Sequence, residues 1–257
     1  MCNWKLVGAV AAGVVGSSAL AGNVWSQGFE TDTNGWFGDV TRVASGTNGV
    51  ASAEGGFHAI ATDGNGAVFT RFDGYRSAWP GSFTASIDVY LDLAMAVGEG
   101  FDYSVAATGT DGNHQRDFIL HATRSAGGIQ IGASNNTNFA PRLDLGSLAN
   151  NYLVTASDWY TIEQVFRDAG DGTLAVDVRL LDSLGSVLFS ETRNNLSDVI
   201  GTEVGGNRYG WFTFIDVEGG IAIDGNTLDI AAVPLPTGAG LAFAGVLAVG
   251  VLRRRAL

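Results

Sequence analysis

Asn113-His114-Gln115-Arg116-Asp117, Asn135-Asn136-Thr137-Asn138-Phe139 and Asn207-Arg208-Tyr209-Gly210-Trp211 each combine amides, a charged group or an aromatic ring within five residues. Planar amides and guanidinium groups suit hydroxyl oxygens, and an aromatic face suits the C–H side of a sugar ring. Asn113, His114, Arg116, Asn136, Asn138, Arg208, Tyr209 and Trp211 are therefore the candidate ligand-binding residues. The competing reading is structural: asparagines that cap loops, and Trp211 and Phe139 packed into a core. Arg116 and Asp117 fall on opposite faces if both lie in one strand, so at most one of them lines a given site.

Catalytic spacing is harder to find. Retaining glycoside hydrolysis uses paired carboxylates on one face, but Glu30-Thr31-Asp32 runs on to Gly35 with no further acid, and Glu163 has Val165 two residues on. No Gly-x-Ser-x-Gly turn is present, and His58, His114 and His121 have no metalloprotease spacing. The expectation is a protein that is not an enzyme. A glycan-active hydrolase or lyase is the alternative.

The elements that must position these residues read as strands. Residues 83–93 alternate, with Phe83, Ala85, Ile87, Val89 and Leu91 on one side and Ser86, Asp88 and Asp92 on the other. Similar runs cover 57–62, 67–72, 101–108, 115–123, 129–133, 159–167, 174–182, 187–192, 209–215 and 220–230. Asp63-Gly64-Asn65-Gly66 predicts a hairpin between the runs at 57–62 and 67–72. No helix-length window between the two ends carries an i, i+3, i+4 apolar stripe. So many strands without a linker predict one all-β, two-sheet antiparallel jelly-roll sandwich over residues 22–230.

Between Asn23 and Leu252 there are ten arginines, no lysine and twenty-six acids, a net charge of −16. Such a surface repels nucleic acid and anionic lipid. No nucleic-acid partner is expected.

The two ends read as export signals. Residues 1–21 have a charged start at Lys5, an apolar run from Leu6 to Val15 and the small-x-small site Ala19-Leu20-Ala21, which predicts a signal peptide cleaved after Ala21. Cys2 lies inside it, so the mature chain carries no cysteine and depends on its core instead of disulfides. At the other end, Val233-Pro234-Leu235-Pro236 closes a linker and motif over 231–237. A hydrophobic segment with a basic end then covers 238–257, finishing in Arg253-Arg254-Arg255. The two prolines favour an extended, protease-accessible chain. The uncharged stretch Gly238–Leu252 rises ~22 Å as a helix, short of the ~30 Å hydrocarbon core. An ordinary membrane anchor is thus less well served than a hydrophobic tag that is later removed.

This three-part tail resembles the PEP-CTERM family of bacterial exported proteins, in its Val-Pro-Leu-Pro variant. Leu235 replaces the Glu of the majority motif, and Thr237 stands where the variant commonly has Ala. The resemblance implies processing by an exosortase and transient anchoring in the inner membrane by the C-terminal segment. It also implies delivery to the cell surface or extracellular matrix, in association with exopolysaccharide. The strand ladder 159–188 is similar to those of concanavalin-like lectin and glucanase sandwiches. Glu30 after Phe29, with Asp224 near the end of the domain, resembles carbohydrate-binding-module jelly rolls in which such a pair shares a structural calcium. Glu30 and Asp224 are the candidate metal ligands. The function expected is a non-catalytic surface or matrix component that binds exopolysaccharide, and a purely structural matrix protein is the further alternative.

Overall fold

The computed structural model describes residues 22–64, 66–136 and 144–231. The expected signal peptide, the motif Val233–Pro236, the hydrophobic segment with Arg253–Arg255, and Asn138 lie outside the described residues. Among those described, no helix is long and apolar enough to cross a membrane.

Fifteen strands follow one another: β1 (Gly22–Gln27), β2 (Trp36–Phe37), β3 (Val40–Ala44), β4 (Phe57–Ala61), β5 (Val68–Thr70), β6 (Phe83–Leu91), β7 (Gly100–Gly109), β8 (His114–Ser125), β9 (Gly128–Asn135), β10 (Tyr152–Val154), β11 (Asp158–Asp168), β12 (Thr173–Leu181), β13 (Val187–Val199), β14 (Val204–Asp216) and β15 (Ile221–Ile230). They form two antiparallel sheets. Sheet A has the order β13-β12-β11-β6-β15-β4-β3, with β1 also paired to β15, and sheet B the order β10-β9-β8-β7-β14-β5-β2. This is a jelly-roll sandwich, as the strand pattern predicts.

One connection departs from the sequence expectation. β4 pairs with β3 and β15 in sheet A, whereas β5 pairs with β14 and β2 in sheet B. The predicted hairpin is therefore a crossover between sheets. A glycine-rich turn reverses the chain locally, but the choice of partner belongs to long-range pairing. β1, β2, β3 and β10 have no counterpart among the expected runs, because two to six residues are too few to show a period.

The core lies between the sheets. Along β6 every second residue is buried, from Phe83 to Leu91, and β11 buries Tyr160, Ile162, Gln164 and Phe166 beside it. Phe166 stacks on Phe83 at 4.4 Å between ring centroids and meets Phe118 of sheet B edge-on at 5.4 Å, so one ring joins the two sheets. Gln164 is an exception in this apolar row. It is fully buried, and neither end of its amide has a hydrogen-bond partner among the described residues. An unsatisfied buried polar group costs ~1–3 kcal/mol. Gln164→Leu is therefore expected to raise the unfolding free energy by about that amount, and a denaturant titration reads the shift directly.

Sheet B differs from sheet A in being enclosed on both faces over part of its width. Every residue of β7 is buried, including the outward-facing Asp102, Ser104 and Thr108. Over β9 the covering layer is the segment around the 3-10 turn Leu145–Ser147. A Cβ on Gly132 would stand 2.7 Å from a Leu148 methyl and 3.2 Å from a Leu145 methyl, so these leucines pack directly on the glycine backbone. Among the described residues, the outer face of sheet B toward β14, β5 and β2 remains open.

Candidate functional site

That open face carries a row of aromatic rings. Strand register places Trp211 of β14 beside Ser104 of β7 on one side and Phe69 of β5 on the other, and Phe69 beside Phe37 of β2. Phe37 and Phe69 stack at 4.8 Å with 16° between their planes, and Phe37 is 45% exposed. Tyr209 meets Trp211 edge-on at 5.8 Å, stacks on the His114 ring at 6.2 Å, and faces Tyr75 at 6.3 Å. Ala67, Phe69, Arg71, Tyr75, Tyr209 and Trp211 enclose a cleft of about 230 Å³.

The backbone explains why these side chains meet. Asn207 pairs with Ala107 and Gly210 with Val105, so Arg208 and Tyr209 together oppose the single residue Ala106. Such a bulge re-aims the extra side chains, here toward the loop that bears Tyr75. That loop is held by Asn207, which is fully buried. Its Oδ1 accepts from Arg76 Nη1 at 2.7 Å, and its Nδ2 donates to the Gly74 carbonyl at 3.0 Å. Arg76 also donates to both carboxylate oxygens of Asp73. A Cβ at Gly205 would lie 2.6 Å from the Ser77 backbone, so glycine there lets the same loop rest on β14. The amide of Asn207, at the head of the third amide-rich stretch, thus holds the scaffold.

The first and third amide-rich stretches meet here, and Asn136 of the second, the rest of which from Thr137 lies outside the described residues, is tied to the first. His114 Nε2 lies 2.9 Å from Asp117 Oδ2, and Ser104 donates to Asp117 Oδ1 at 2.9 Å. Asn136, in the left-handed region at φ 53°, accepts from the Asp117 amide at 2.7 Å, tying the second stretch to the first. Burial, then the Asp117 charge, pushes the Tyr209 phenol well above its ordinary range, so it stays neutral. Arg116 is not brought to the face: its guanidinium donates to both oxygens of the buried Asp198, from Nε at 2.5 Å and from Nη2 at 3.0 Å. Asn113 closes the β7–β8 turn on Asp111, donating from its backbone at 2.9 Å and from Nδ2 at 2.8 Å. Phe37, Phe69, Arg71 and Tyr75 complete the site without having been singled out from sequence. β5 is three residues long and β2 two, so their outward rings carry no visible alternation.

Beneath the same face lies a second polar constellation. His121 Nδ1 is 2.5 Å from Asp102 Oδ1, and His121 Nε2 is 2.7 Å from Ser134 Oγ. Register pairs Asp102 with His121 and His121 with Gly132, so Ser134, two residues along β9, shares their face. This is the order of a nucleophile–base–carboxylate relay. Asp102 and His121 are fully buried and Ser134 is 4% exposed, although Ser134 also lines a cavity of about 350 Å³ with Leu148, Asn150, Glu191 and Arg193.

Glu30 and Asp224 flank one loop away from this face. Glu30 accepts from the amides of Gly56 and Phe57 at 3.1 Å, and the fully buried Asp224 accepts from those of Ala53 at 3.1 Å and Glu54 at 3.3 Å. Among the described residues no group of three or more His, Cys, Asp or Glu is placed to hold a metal ion. Burial raises the Asp224 carboxyl to about 6, with Glu54 and Asp88 adding repulsion and loop amides opposing it. Because the folded value is raised, this contribution to stability is complete below about pH 4 and is lost as the pH rises through about 6. Asp224→Asn is expected to lack that decline. Its melting temperature relative to wild type should therefore climb between pH 4 and pH 7, as a pH series of thermal melts will read.

No protein-family model and no curated protein sequence matches the chain. Several solved structures are similar to it to differing degrees. A conserved carbohydrate esterase of the Shiga toxin-encoding bacteriophage phi24B is 11% identical with a TM-score of 0.50, over 82% of this chain and 100% of that one. The CBM2 module of the evolved Dit protein of Lactobacillus casei phage J-1 is 15% identical with a TM-score of 0.46, over 85% and 100%. Lectin I of Ulex europaeus is 13% identical with a TM-score of 0.42, over 83% and 97%. At such identities the likeness concerns fold alone. The chain is a two-sheet antiparallel jelly roll.

Proposed function

We propose that this is an exported, non-catalytic glycan-binding protein of the cell surface or extracellular matrix. On this reading it holds exopolysaccharide on the open face of sheet B. The observation that carries the proposal is the row Trp211–Phe69–Phe37, three rings in register across three strands and bordered by Tyr209, His114 and Tyr75. Rings in such a row offer successive stacking positions to the units of a polysaccharide, and His114, Asp117 and Arg208 at the edge offer hydrogen bonds to its hydroxyls.

Export rests on the signal-like start and the PEP-CTERM-like tail, with an exosortase as the processing partner. Removing residues 233–257 is expected to stop surface delivery, as cell fractionation will read. Calcium takes a supporting role at the loop between Glu30 and Asp224. Carboxylate oxygens are its preferred ligands, and Glu54 and Asp88 add to the negative charge that already presses on Asp224.

The test is a glycan array of the purified protein, with calcium and again with EDTA. Binding of defined oligosaccharides, lost in Trp211→Ala, is the expected result. Absence of binding by the folded protein in both conditions would leave a purely structural matrix protein.

One observation favours a second, enzymatic reading: a glycan-active hydrolase using Ser134, His121 and Asp102. A fluorophosphonate probe decides it. Labelling that Ser134→Ala abolishes would establish the nucleophile, and no labelling of the native protein would end this reading.

A further inference from the structure

We infer that the cleft between Trp211, Phe69 and Tyr75 takes an acidic sugar through its carboxylate, a step that rests on the glycan-binding reading above.

The argument begins with how the arginines are used. In a region with twenty-six acids and ten arginines, electrostatics favours pairing each guanidinium with a carboxylate. Arg76, Arg116, Arg167, Arg179 and Arg193 are so paired. Arg42 and Arg124 are taken up by backbone carbonyls. Arg142 lies outside the described residues, and Arg71 and Arg208 stand apart. The Arg71 guanidinium makes no hydrogen bond and no ion pair among the described residues. It lies over the rings of Phe37 at 5.3 Å, Phe69 at 5.7 Å and Tyr75 at 5.6 Å. Arg208 lies over Tyr75 at 4.7 Å and over Tyr209 at 5.7 Å, and it donates one hydrogen bond, from Nη1 to the Gly112 carbonyl at 3.0 Å. The acids nearest this rim are otherwise engaged. Asp73 holds Arg76, Asp117 holds His114 and Ser104, and Asp111 caps its own turn through Asn113.

Two guanidinium groups without a carboxylate partner therefore share one tyrosine ring, at the edge of one aromatic cleft. A second observation comes from the donors. Arg208 Nε and Trp211 Nε1 are both enclosed with no acceptor among the described residues. An enclosed donor without an acceptor is costly, and a ligand that brings oxygens removes that cost. A guanidinium stacked on an aromatic ring presents its planar edge, the geometry that recognises a carboxylate in bidentate fashion. A cleft of about 230 Å³ suits one sugar ring and its substituent. A uronic acid meets these requirements together: a ring to stack and a carboxylate in reach of Arg71 and Arg208.

The experiment compares the purified protein's affinity for oligogalacturonate with that for the same oligosaccharide fully methyl-esterified, which keeps the shape and removes the charge. EDTA is present throughout, so calcium bridging plays no part. Wild type is expected to prefer the acid by ~10-fold or more, with affinity for the acid falling as sodium chloride rises. Arg71→Gln and Arg208→Gln should each lose most of that preference, weakening binding of the acid far more than binding of the ester. Both side chains lie at the rim, so thermal melts matching wild type will verify their folding. Equal affinity of wild type for acid and ester, with both lost in Trp211→Ala, would overturn this inference and leave the glycan-binding reading standing. No binding of either, or of a neutral cello-oligosaccharide, would remove both.

Discussion

Trp211→Ala is expected to weaken glycan binding by ~30-fold or more, the loss typical when a central aromatic anchor is truncated. The melting temperature should change little. The reasoning is directional. Trp211 and Phe212 are neighbours in β14 but serve opposite faces. Phe212 packs into the core against Tyr103 at 4.8 Å and Phe101 at 5.9 Å, whereas Trp211 sits among the surface rings between Ser104 and Phe69. Removing Trp211 takes the centre from the row and leaves the core untouched. Its indole N–H has no acceptor among the described residues, so the substitution orphans no partner there. Titration calorimetry beside a thermal melt separates the two quantities. A variant that still binds like wild type would move the site away from this face.

The largest effect on stability is expected at Phe166. This ring is fully buried, stacks on Phe83 within sheet A and reaches Phe118 across the sandwich. Phe166→Ala removes a contact between the two sheets and leaves a void that rigid strands on both sides cannot close. A truncation of this type costs ~3–5 kcal/mol, which in a domain of this size lowers Tm by roughly 10–15 °C. Guanidinium unfolding of the variant and wild type measures it. A change below about 1 kcal/mol, the level of an ordinary surface substitution, would mean that the interior is packed differently around this ring.

Sequence carried the fold class well because strands such as β6 and β11 obey period two. β6 was readable residue by residue, and the ladder β11–β12–β13 follows chain order. The turn at 63–66 misled because Asp-Gly and Asn-Gly describe a reversal and say nothing about which sheet receives the next strand. At the site, Tyr209 and Trp211 were legible as aromatics beside polar residues. Phe37, Phe69, Arg71 and Tyr75 were not, since their meaning depends on β2, β5 and β14 becoming neighbours. That Arg116 pairs with Asp198 was not legible, because that partner lies eighty-two residues further along the chain. The His121 relay was invisible for the same reason. Asp102, His121 and Ser134 have no motif spacing, and three-strand register alone aligns them.

The most direct test of the open face is nuclear magnetic resonance, following the tryptophan indole N–H signals as oligogalacturonate or cello-oligosaccharide is added. The account predicts a saturable shift of the Trp211 indole, accompanied by backbone shifts in 68–76 and 207–212, while the signal of Trp36 in the core stays in place. Saturable shifts confined to the loop between Glu30 and Asp224, or no shift at all with either sugar, would contradict it.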